Sequence, residues 1–438
     1  STLPQKTTLS YACMGLGYDV RNQIIEFNKA STQYRIEVMD YSEFNTGEDT
    51  SAGLTKINTE ILAGRVPDIL DASGSMPISQ YGSKGLLEDL WPFIESDEEI
   101  GGRDGVMEKA LQAAEQDGKL YRVFDLFDIR TVVGASRIVG ERISWTLADL
   151  QNALAQMPEG CTIFGEEDTK AAMLRNILAC NMDSFVDWST GSCSFDSPSF
   201  KSLLEFCNSF PAEFNWEDVN YDEWQDPDQR VSSGKQLLQS IYLDRFTSVQ
   251  RYEAVFGGDV SFVGYPMEDG GIGSSFQIMG SRCFAMSSTS QNKEGAWSFI
   301  RQTLLPQLED GEEYWLGDYP VNRKDFERYR DDSMTVTYLE DENGQPILDE
   351  NGEPIQQAKE SYWTSDSDTP VEFYAATQED VDQVMELYNS ITSIWSSSDS
   401  IFDIIQENVG AYFAGDRTVD DTATRIQSAV KLYIGEQM

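Results

Sequence analysis

The strongest constraint on the fold is an alternation of strand-like and helix-like segments in the first 71 residues. Residues 8–14 form a strand pattern, residues 19–30 carry apolar side chains at helical spacing, and residues 34–42 alternate as a second strand. Residues 54–64 repeat the helical spacing, and residues 66–71 form a short buried strand. This βαβ order indicates a parallel sheet with helices on its faces, which is an α/β fold.

Ligands of open α/β sheets bind beyond the carboxyl ends of the strands. Three loops follow such ends, at residues 14–19, 41–46 and 71–76, and we expect them to line one crevice. The candidate ligand-binding side chains in these loops are Tyr18, Asp19, Glu43, Ser73 and Ser75. Each has a structural alternative, because such residues also cap helices, pack, remain solvated or form turns.

Two long apolar segments suggest that the chain crosses between domains. Residues 118–136 form two nearly continuous strand segments, and residues 275–287 form a strand that crosses back. A chain of 438 residues favours at least two domains. Asp125 and Asp128 lie among apolar residues of the first crossing, where a buried carboxylate needs a partner. A ligand hydroxyl and Arg130 are the two candidates for that partner.

The aromatic content permits a sugar ligand without demonstrating one. The chain has 9 Trp, 19 Tyr and 22 Phe, and aromatic rings cover the apolar C–H face of a sugar. Trp188, Trp216 and Trp224 lie in stretches too polar for a core, which makes them candidates for stacking. Trp363 and Trp395 are further candidates of the same kind.

Charge and residue usage exclude several classes of function. With 32 basic and 75 acidic residues the net charge is −43, which disfavours nucleic acid and anionic lipid surfaces and favours a neutral or cationic ligand. The chain has no histidine, so Ser-His-Asp and Cys-His centres and histidine zinc sites are excluded. Catalysis by carboxylates alone remains open. The six scattered cysteines suggest buried thiols, with one bridge within the group Cys161, Cys180, Cys193 and Cys207 as an alternative.

Residues 335–370 differ from the rest of the chain in that they contain a repeated turn-forming sequence. Asp-Glu-Asn-Gly occurs at residues 341–344 and again at 349–352. Asn-Gly favours tight hairpin turns in which both central residues have positive φ, so we expect a β-hairpin insertion on the surface. A calcium-binding EF-hand is the alternative, although Leu339 occupies the position where its first aspartate belongs.

A series of short motifs occurs in a fixed order along the chain. The motifs are Pro67-Asp68-Ile69, Gly85-Leu86-Leu87-Glu88-Asp89-Leu90, Gly118-Lys119-Leu120-Tyr121, Trp145-Thr146, Ser194-Phe195-Asp196-Ser197-Pro198, Val263-Gly264-Tyr265-Pro266, residues 290–300 and Tyr412-Phe413-Ala414-Gly415. In this order the chain resembles the extracellular solute-binding proteins, the type 1 family that serves carbohydrate ABC importers. The resemblance covers roughly residues 8–330 and 378–434.

The resemblance implies a two-lobed, periplasmic-binding-protein-like fold of type II, with a hinge and a ligand in the interlobe cleft. It places lobe one at residues 1–124 plus 284–324 and lobe two at residues 125–283 plus 325–438, with the insertion on lobe two. It implies a carbohydrate ligand, more specifically an oligosaccharide, and the membrane permease of an ABC importer as partner. It also implies a monomer without enzymatic activity, cofactor or metal.

The resemblance adds to the candidate site and suggests a location. It brings Ser73, Ser75, Tyr242 and Asp244 to the cleft. Similar proteins are cell-surface lipoproteins or periplasmic, and the polar start at Ser1, without a signal segment or anchor, suggests a trimmed mature chain. A glycoside hydrolase and a surface adhesion module, the latter acting through residues 335–370, are the alternative functions.

Overall fold

The computed structural model describes residues 5–74, 76–165, 168–309, 317–363, 368–396 and 400–437. The strands in these ranges are β1 Thr7–Cys13, β2 Tyr34–Asp40, β3 Ile69–Asp71, β4 Val123–Ala135, β5 Val186–Asp187, β6 Ser192–Cys193, β7 Leu238–Leu243, β8 Val260–Phe262, β9 Ser275–Met286, β10 Tyr319–Pro320, β11 Glu360–Tyr362 and β12 Val371–Phe373.

The helices of the same ranges are α1 Tyr18–Ala30, α2 Ala52–Leu62, α3 Ile78–Ser83, α4 Trp91–Glu95, α5 Glu108–Ala113, α6 Ser136–Val139, α7 Leu147–Leu154, α8 Lys170–Asn181, α9 Pro198–Asn208, α10 Pro227–Ser232, α11 Ser248–Phe256, α12 Lys293–Ile300, α13 Arg323–Met334, α14 Gln378–Ser390, α15 Ser400–Phe413 and α16 Val419–Gln437. The strands and helices predicted from the first 71 residues are confirmed as β1, α1, β2, α2 and β3.

The central sheet is mixed rather than purely parallel. Its order is β10-β4-β9-β3-β1-β2, and β7 and β8 pair with the far half of β4. β1 is parallel to β2 and β3, as the βαβ pattern predicts. β9 is antiparallel to both β3 and β4, because it returns from the other half of the molecule.

The two predicted crossings are confirmed as the long strands β4 and β9. The start of β4 pairs with the end of β9, where Val123 lies opposite Phe284. The end of β4 pairs with β7 and β8 instead, where Val133 lies opposite both Gln239 and Phe262. The two strands therefore connect the part of the sheet around β3 with β7 and β8.

Two separate groups of buried side chains occupy the two halves. The first core surrounds β1, β2 and β3 and includes Leu9, Ile57, Ile69, Trp91 and Phe299. The second core lies among α8, α9, α15 and α16 and includes Trp145, Leu174, Phe200, Ile405 and Ile426. The buried residues of these helices recur at spacings of three and four, which is the helical periodicity of an amphipathic segment. Helices α11 and α14 pack onto the first core.

Several motifs of the sequence serve local structure. The Asp68 carboxylate accepts hydrogen bonds from the Ser10 amide at 2.9 Å and from the Ser290 hydroxyl at 2.5 Å, which ties β1 to the start of α12. Thr146 and Asp149 form a reciprocal capping box at the start of α7. Thr146 is therefore the N-cap of α7, and Asp68 has a structural role.

Residues 337–357 form two tight turns through their Asp-Glu-Asn-Gly repeats. In each turn the glycine has positive φ, +75° at Gly344 and +81° at Gly352, and the asparagine does not. The expectation of positive φ at both central positions was wrong, because each loop has three residues and a single left-handed glycine closes it. The Asp341 carboxylate accepts the amides of Asn343 and Gln345, so it completes the turn as an Asx cap.

Three further properties concern the described ranges as a whole. The six cysteines are free thiols, and four of them are buried. No three or more His, Cys, Asp or Glu side chains of the described ranges are arranged to hold a metal ion. Within those ranges, every helix is either too short or too polar to cross a membrane.

Candidate functional site

A cavity of about 260 Å³ lies where the two cores meet, and we call it the interlobe cavity. One wall is formed by residues 72–74 and 76–80, which follow β3 and include the start of α3, and Met76 and Ile78 of this wall belong to the first core. The opposite wall consists of Trp188, Ile401 and Tyr433, which pack with the second core. The floor is formed by residues beside or within the two crossing strands. A ligand in this cavity therefore contacts both halves at once, and its binding is coupled to their relative position.

The loop wall is positioned by a carboxylate at the end of β3. Asp71 accepts hydrogen bonds from the Ser73 amide at 2.9 Å and from the Ser73 hydroxyl at 2.6 Å. Burial raises the pKa of Asp71. The short Asx turn that results presents Ser73 and Gly74 to the cavity.

The floor carries polar atoms that have no hydrogen-bond partner among the described residues. They are Nε of Arg122, which directly precedes β4, and Oε1 of Gln277 in β9, and both side chains line the cavity. Buried polar groups are nearly always paired, so two partnerless atoms in one cavity mark a place where a ligand or water belongs.

Asp125 lies beside this floor. A bulge interrupts the pairing of β4 with β9 between Phe124 and Leu126, and the Asp125 carboxylate lies against the backbone of Gly280. One Asp125 oxygen is buried without a hydrogen-bond partner in the described part of the chain. Burial raises the pKa of Asp125 to about 6. Gly280 lines the cavity, so this carboxylate borders the site.

Aromatic rings complete the interlobe cavity. Trp188, Trp395 and Tyr433 line it. The amide of Trp395 donates to the carbonyl of Phe276 at 2.6 Å, which attaches this segment to the start of β9. The Arg130 guanidinium lies 4.1 Å from the centre of the Trp395 ring, a cation–π contact that holds the indole in place.

A second and larger cavity, of about 1130 Å³, lies beside β7, and we call it the edge cavity. Tyr242, Asp244, Arg251, Tyr362 and Trp363 are among its lining residues. It is larger than the interlobe cavity, but its lining does not include the loops that follow β1, β2 and β3. Residues of both cores line each cavity, because Phe164 of the second core and Tyr252 of the first also line the edge cavity. We take the interlobe cavity as the candidate site because its lining includes the residues that follow β3, at the carboxyl end of a parallel strand.

The two cavities are adjacent. Arg130 lies between the rings of Tyr242, at 3.7 Å, and Trp395, at 4.1 Å. Tyr242 borders the edge cavity and Trp395 borders the interlobe cavity. The stacked Arg130 side chain is therefore the partition between them.

A group of three carboxylates, Asp128, Asp244 and Asp318, lies close to Arg130. Burial, with the neighbouring carboxylates of Asp318 and Asp244, raises the pKa of Asp128 to about 8, although Arg130 opposes the shift. Burial also raises the pKa of Asp244 and of Asp318. One Asp128 oxygen is buried without a hydrogen-bond partner among the described residues. The predicted pairing of Asp128 with Arg130 is limited to this electrostatic influence.

The predicted site residues fall into three groups. Ser73 and Trp188 line the interlobe cavity, and Asp125 borders it. Asp19 lies close by, since its carboxylate accepts a hydrogen bond from Ser281 at 3.0 Å, next to Gly280. Ser75 lies outside the described residues.

The second group lies at the edge cavity and its surroundings. Tyr242 and Asp244 line the edge cavity, and Asp128 is buried beside them. The third group lies outside both cavities and consists of Tyr18, Glu43, Trp216 and Trp224. Tyr18 is 77% exposed, Glu43 is exposed, and the indoles of Trp216 and Trp224 contact each other edge to face.

Sequence reasoning missed Arg122, Gln277 and Tyr433. Arg122 follows the Gly-Lys-Leu-Tyr motif and Gln277 is a lone amide in an apolar strand, so each interrupts an apolar run. A polar residue within an apolar run needs a partner, so the same reasoning that selected Asp125 could have selected Arg122 and Gln277. Tyr433 had no such signal, because its position in an amphipathic helix is typical of a core residue.

Comparison with known proteins identifies the family. Residues 23–322 match the family model of the bacterial extracellular solute-binding proteins. No curated protein sequence is significantly similar to this chain.

Solved structures share the fold at low identity. The sugar-binding protein MalE from the phytopathogen Xanthomonas citri has a TM-score of 0.56 and 14% sequence identity, over 98% of each chain. A periplasmic oligogalacturonide binding protein from Yersinia enterocolitica has a TM-score of 0.53 and 12% identity, over 98% of this chain and all of the other. The predicted two-lobed α/β fold is confirmed by this likeness. The family match covers more than half of the 438 residues, and the chain belongs to the bacterial extracellular solute-binding proteins.

Proposed function

We propose that this protein captures an oligosaccharide in the interlobe cavity and delivers it to the permease of an ABC importer. The observation that carries this proposal is the composition of the cavity. Three aromatic side chains, Trp188, Trp395 and Tyr433, line the cavity together with Arg122 and Gln277, whose buried Nε and Oε1 atoms have no hydrogen-bond partner among the described residues. Aromatic faces beside unsatisfied hydrogen-bonding groups match the two surfaces of a sugar, its C–H face and its hydroxyls.

The placement of the cavity supports transport rather than catalysis. Its walls belong to different cores, and the crossing strands β4 and β9 form its floor. Closure of the two halves around a ligand gives a closed form that a permease can distinguish from the open one. Solved neighbours with this fold include a sugar-binding and an oligogalacturonide-binding protein, which supports a carbohydrate ligand here.

The remaining expectations are part of the same proposal. The lobes comprise residues 1–124 plus 284–324 and residues 125–283 plus 325–438, with the turn-rich segment 335–370 on the surface of the second. The protein works outside the cytoplasmic membrane as a monomer, either lipid-anchored or periplasmic. Its membrane partner is the permease, and it performs no catalysis.

Isothermal titration calorimetry over a panel of plant, host and starch-type oligosaccharides tests the proposal. At least one member should bind and raise the melting temperature, since stabilisation grows with ligand concentration relative to Kd. Trp395→Ala and Trp188→Ala should each weaken that binding by about 1–3 kcal/mol, or roughly 5- to 150-fold.

Trp216→Ala is the matched control. Its indole is 49% exposed and lies outside both cavities, so its removal should leave the affinity within about twofold. A panel that neither binds nor shifts the melting curve would refute the proposed function. Equal losses in Trp395→Ala and Trp216→Ala would place the ligand elsewhere.

A further inference from the structure

Arg122 is the charged side chain of the interlobe cavity. The other described lining residues are neutral: small or apolar side chains, serines, two glutamines and three aromatic rings. This is unusual for a chain in which acidic residues outnumber basic ones by 75 to 32. The charge carried by the described lining residues is therefore positive, although the molecule as a whole is strongly negative.

The Arg122 guanidinium has no carboxylate partner in the described part of the chain. Its Nε atom is buried and makes no hydrogen bond there. Burial lowers the pKa of Arg122. Other arginines contrast with it: Arg301 pairs with both Asp97 and Glu99, at 2.7 and 2.9 Å.

The nearest acidic neighbour along the chain does not provide that partner. The arginine that acts electrostatically on Asp125 is Arg282, and Arg122 makes no comparable contribution. Arg282 in turn donates to the side chain of Gln307 at 2.7 Å. The Arg122 charge is therefore left to the cavity.

An arginine cannot relieve this situation by losing its proton, because a guanidinium stays protonated at neutral pH. A partly buried guanidinium without an anion is costly, and the cost is recovered when an anion enters the same space. The planar fork of N–H donors matches the two oxygens of a carboxylate. One guanidinium also balances one negative charge, which a carboxylate supplies.

Building on the proposed function, we propose that the ligand is an acidic oligosaccharide whose uronic acid carboxylate binds Arg122. Gln277 then bonds a hydroxyl of the same unit, and Trp188 and Trp395 cover the sugar rings. The net charge of −43 led to the expectation of a neutral or cationic ligand. Exterior charges are screened over about 8 Å at physiological ionic strength, so the local guanidinium determines selectivity within the cavity.

The test uses calorimetry with two panels. One contains uronic acid oligosaccharides from pectin, alginate and glucuronoxylan, and the other contains neutral oligosaccharides from starch, β-glucan, xylan and chitin. A uronide should bind the wild-type protein, and the methyl ester of the same uronide, which lacks the charge, should bind at least about tenfold more weakly.

Variants connect that selectivity to the residue. Arg122→Gln should lose at least about tenfold in affinity for the uronide and retain its affinity for the methyl ester. Arg282→Gln is the matched control, since this arginine of β9 also has a buried partnerless Nε but does not line the cavity. The melting temperature of ligand-free Arg122→Gln should equal or exceed that of the wild type, because an unpaired charge has been removed.

The outcomes separate the two proposals. If a neutral oligosaccharide binds as tightly as any uronide, or Arg122→Gln keeps its affinity for the uronide, the acidic ligand is refuted while the proposed function stands. If ligand-free Arg122→Gln is clearly less stable than the wild type, Arg122 has a structural role and the inference fails. If neither panel binds, both proposals fail.

Discussion

The pH dependence of stability should reveal the buried carboxylate of Asp128. Asp128 is 2% exposed, and its pKa is raised to about 8, from an ordinary value near 4. Between pH 5 and pH 7 the folded protein therefore holds a proton that the unfolded chain has released. The free energy of unfolding falls as pH rises wherever the folded state binds more protons.

The change in the free energy of unfolding follows from the difference in bound protons between the folded and unfolded states. One proton held only by the folded state lowers the free energy of unfolding by about 1.36 kcal/mol per pH unit, or about 2.7 kcal/mol from pH 5 to pH 7. Asp128→Asn has nearly the same shape and does not titrate. The contribution of Asp128 is thus greatest below pH 4 and is lost as pH rises towards 8, whereas the variant lacks this slope.

Urea unfolding of both proteins at pH 5, 6 and 7 measures the effect. The free energy of unfolding of Asp128→Asn minus that of the wild type should increase by about 2–3 kcal/mol across this range. Asp222→Asn, at an exposed carboxylate, is the control and should show no such trend. A difference between Asp128→Asn and wild type that stays constant within about 0.5 kcal/mol would refute the reasoning.

Three further substitutions test packing, capping and ion pairing by urea unfolding. Gly53→Ala should cost about 2–3 kcal/mol, because the new Cβ would lie 2.1 Å from a backbone carbonyl oxygen, whereas Gly410→Ala, with no atom within 4 Å, should not destabilise. Thr146→Ala should cost about 1 kcal/mol by removing the cap of α7, and an unchanged midpoint would contradict the assigned cap. Hydrogen bonds from Arg301 lower the pKa of Asp97, so its stabilisation is present above the ordinary pKa and lost as pH falls through the lowered one. Asp97→Asn should therefore destabilise at pH 7 by about 3 kcal/mol and less at pH 3; an equal loss at both pH values would contradict this.

The sequence alone was sufficient for the first five elements and for the two crossing strands, but not for the mixed pairing of the sheet. The segments β1, α1, β2, α2 and β3 were predicted because strand and helix periodicities are local properties of neighbouring side chains. The crossings at β4 and β9 were predicted for the same reason. Their mutual pairing, between residues about 150 positions apart, was visible only in the structure.

The candidate site was less accessible from the sequence. Ser73 was found because it directly follows a strand, and position after a strand is a local signal. Trp188 and Trp216 looked alike in sequence, since both lie in polar surroundings, yet the first lines the interlobe cavity and the second lies on the surface. A stacking residue is defined by what faces it, and that depends on the packing of distant segments.

The turn-rich segment, residues 335–370, was also predicted only in part from its sequence. Its repeated Asp-Glu-Asn-Gly predicted tight turns, and residues 341–344 and 349–352 form them. The turn type was wrong, because it depends on how the flanking strands pair and not on the dipeptide alone.

Sequence by itself thus determined the α/β alternation, the long crossings and the absence of histidine chemistry, all of which follow from residue type and spacing. Only the tertiary structure decided that the Nε of Arg122 is buried without a hydrogen-bond partner in the described part of the chain and that Trp395 and Tyr433 share its cavity. The physical reason is that an unpaired charge is a property of its surroundings. Those surroundings are assembled here from segments that begin at residues 72, 122, 188, 277, 395 and 433.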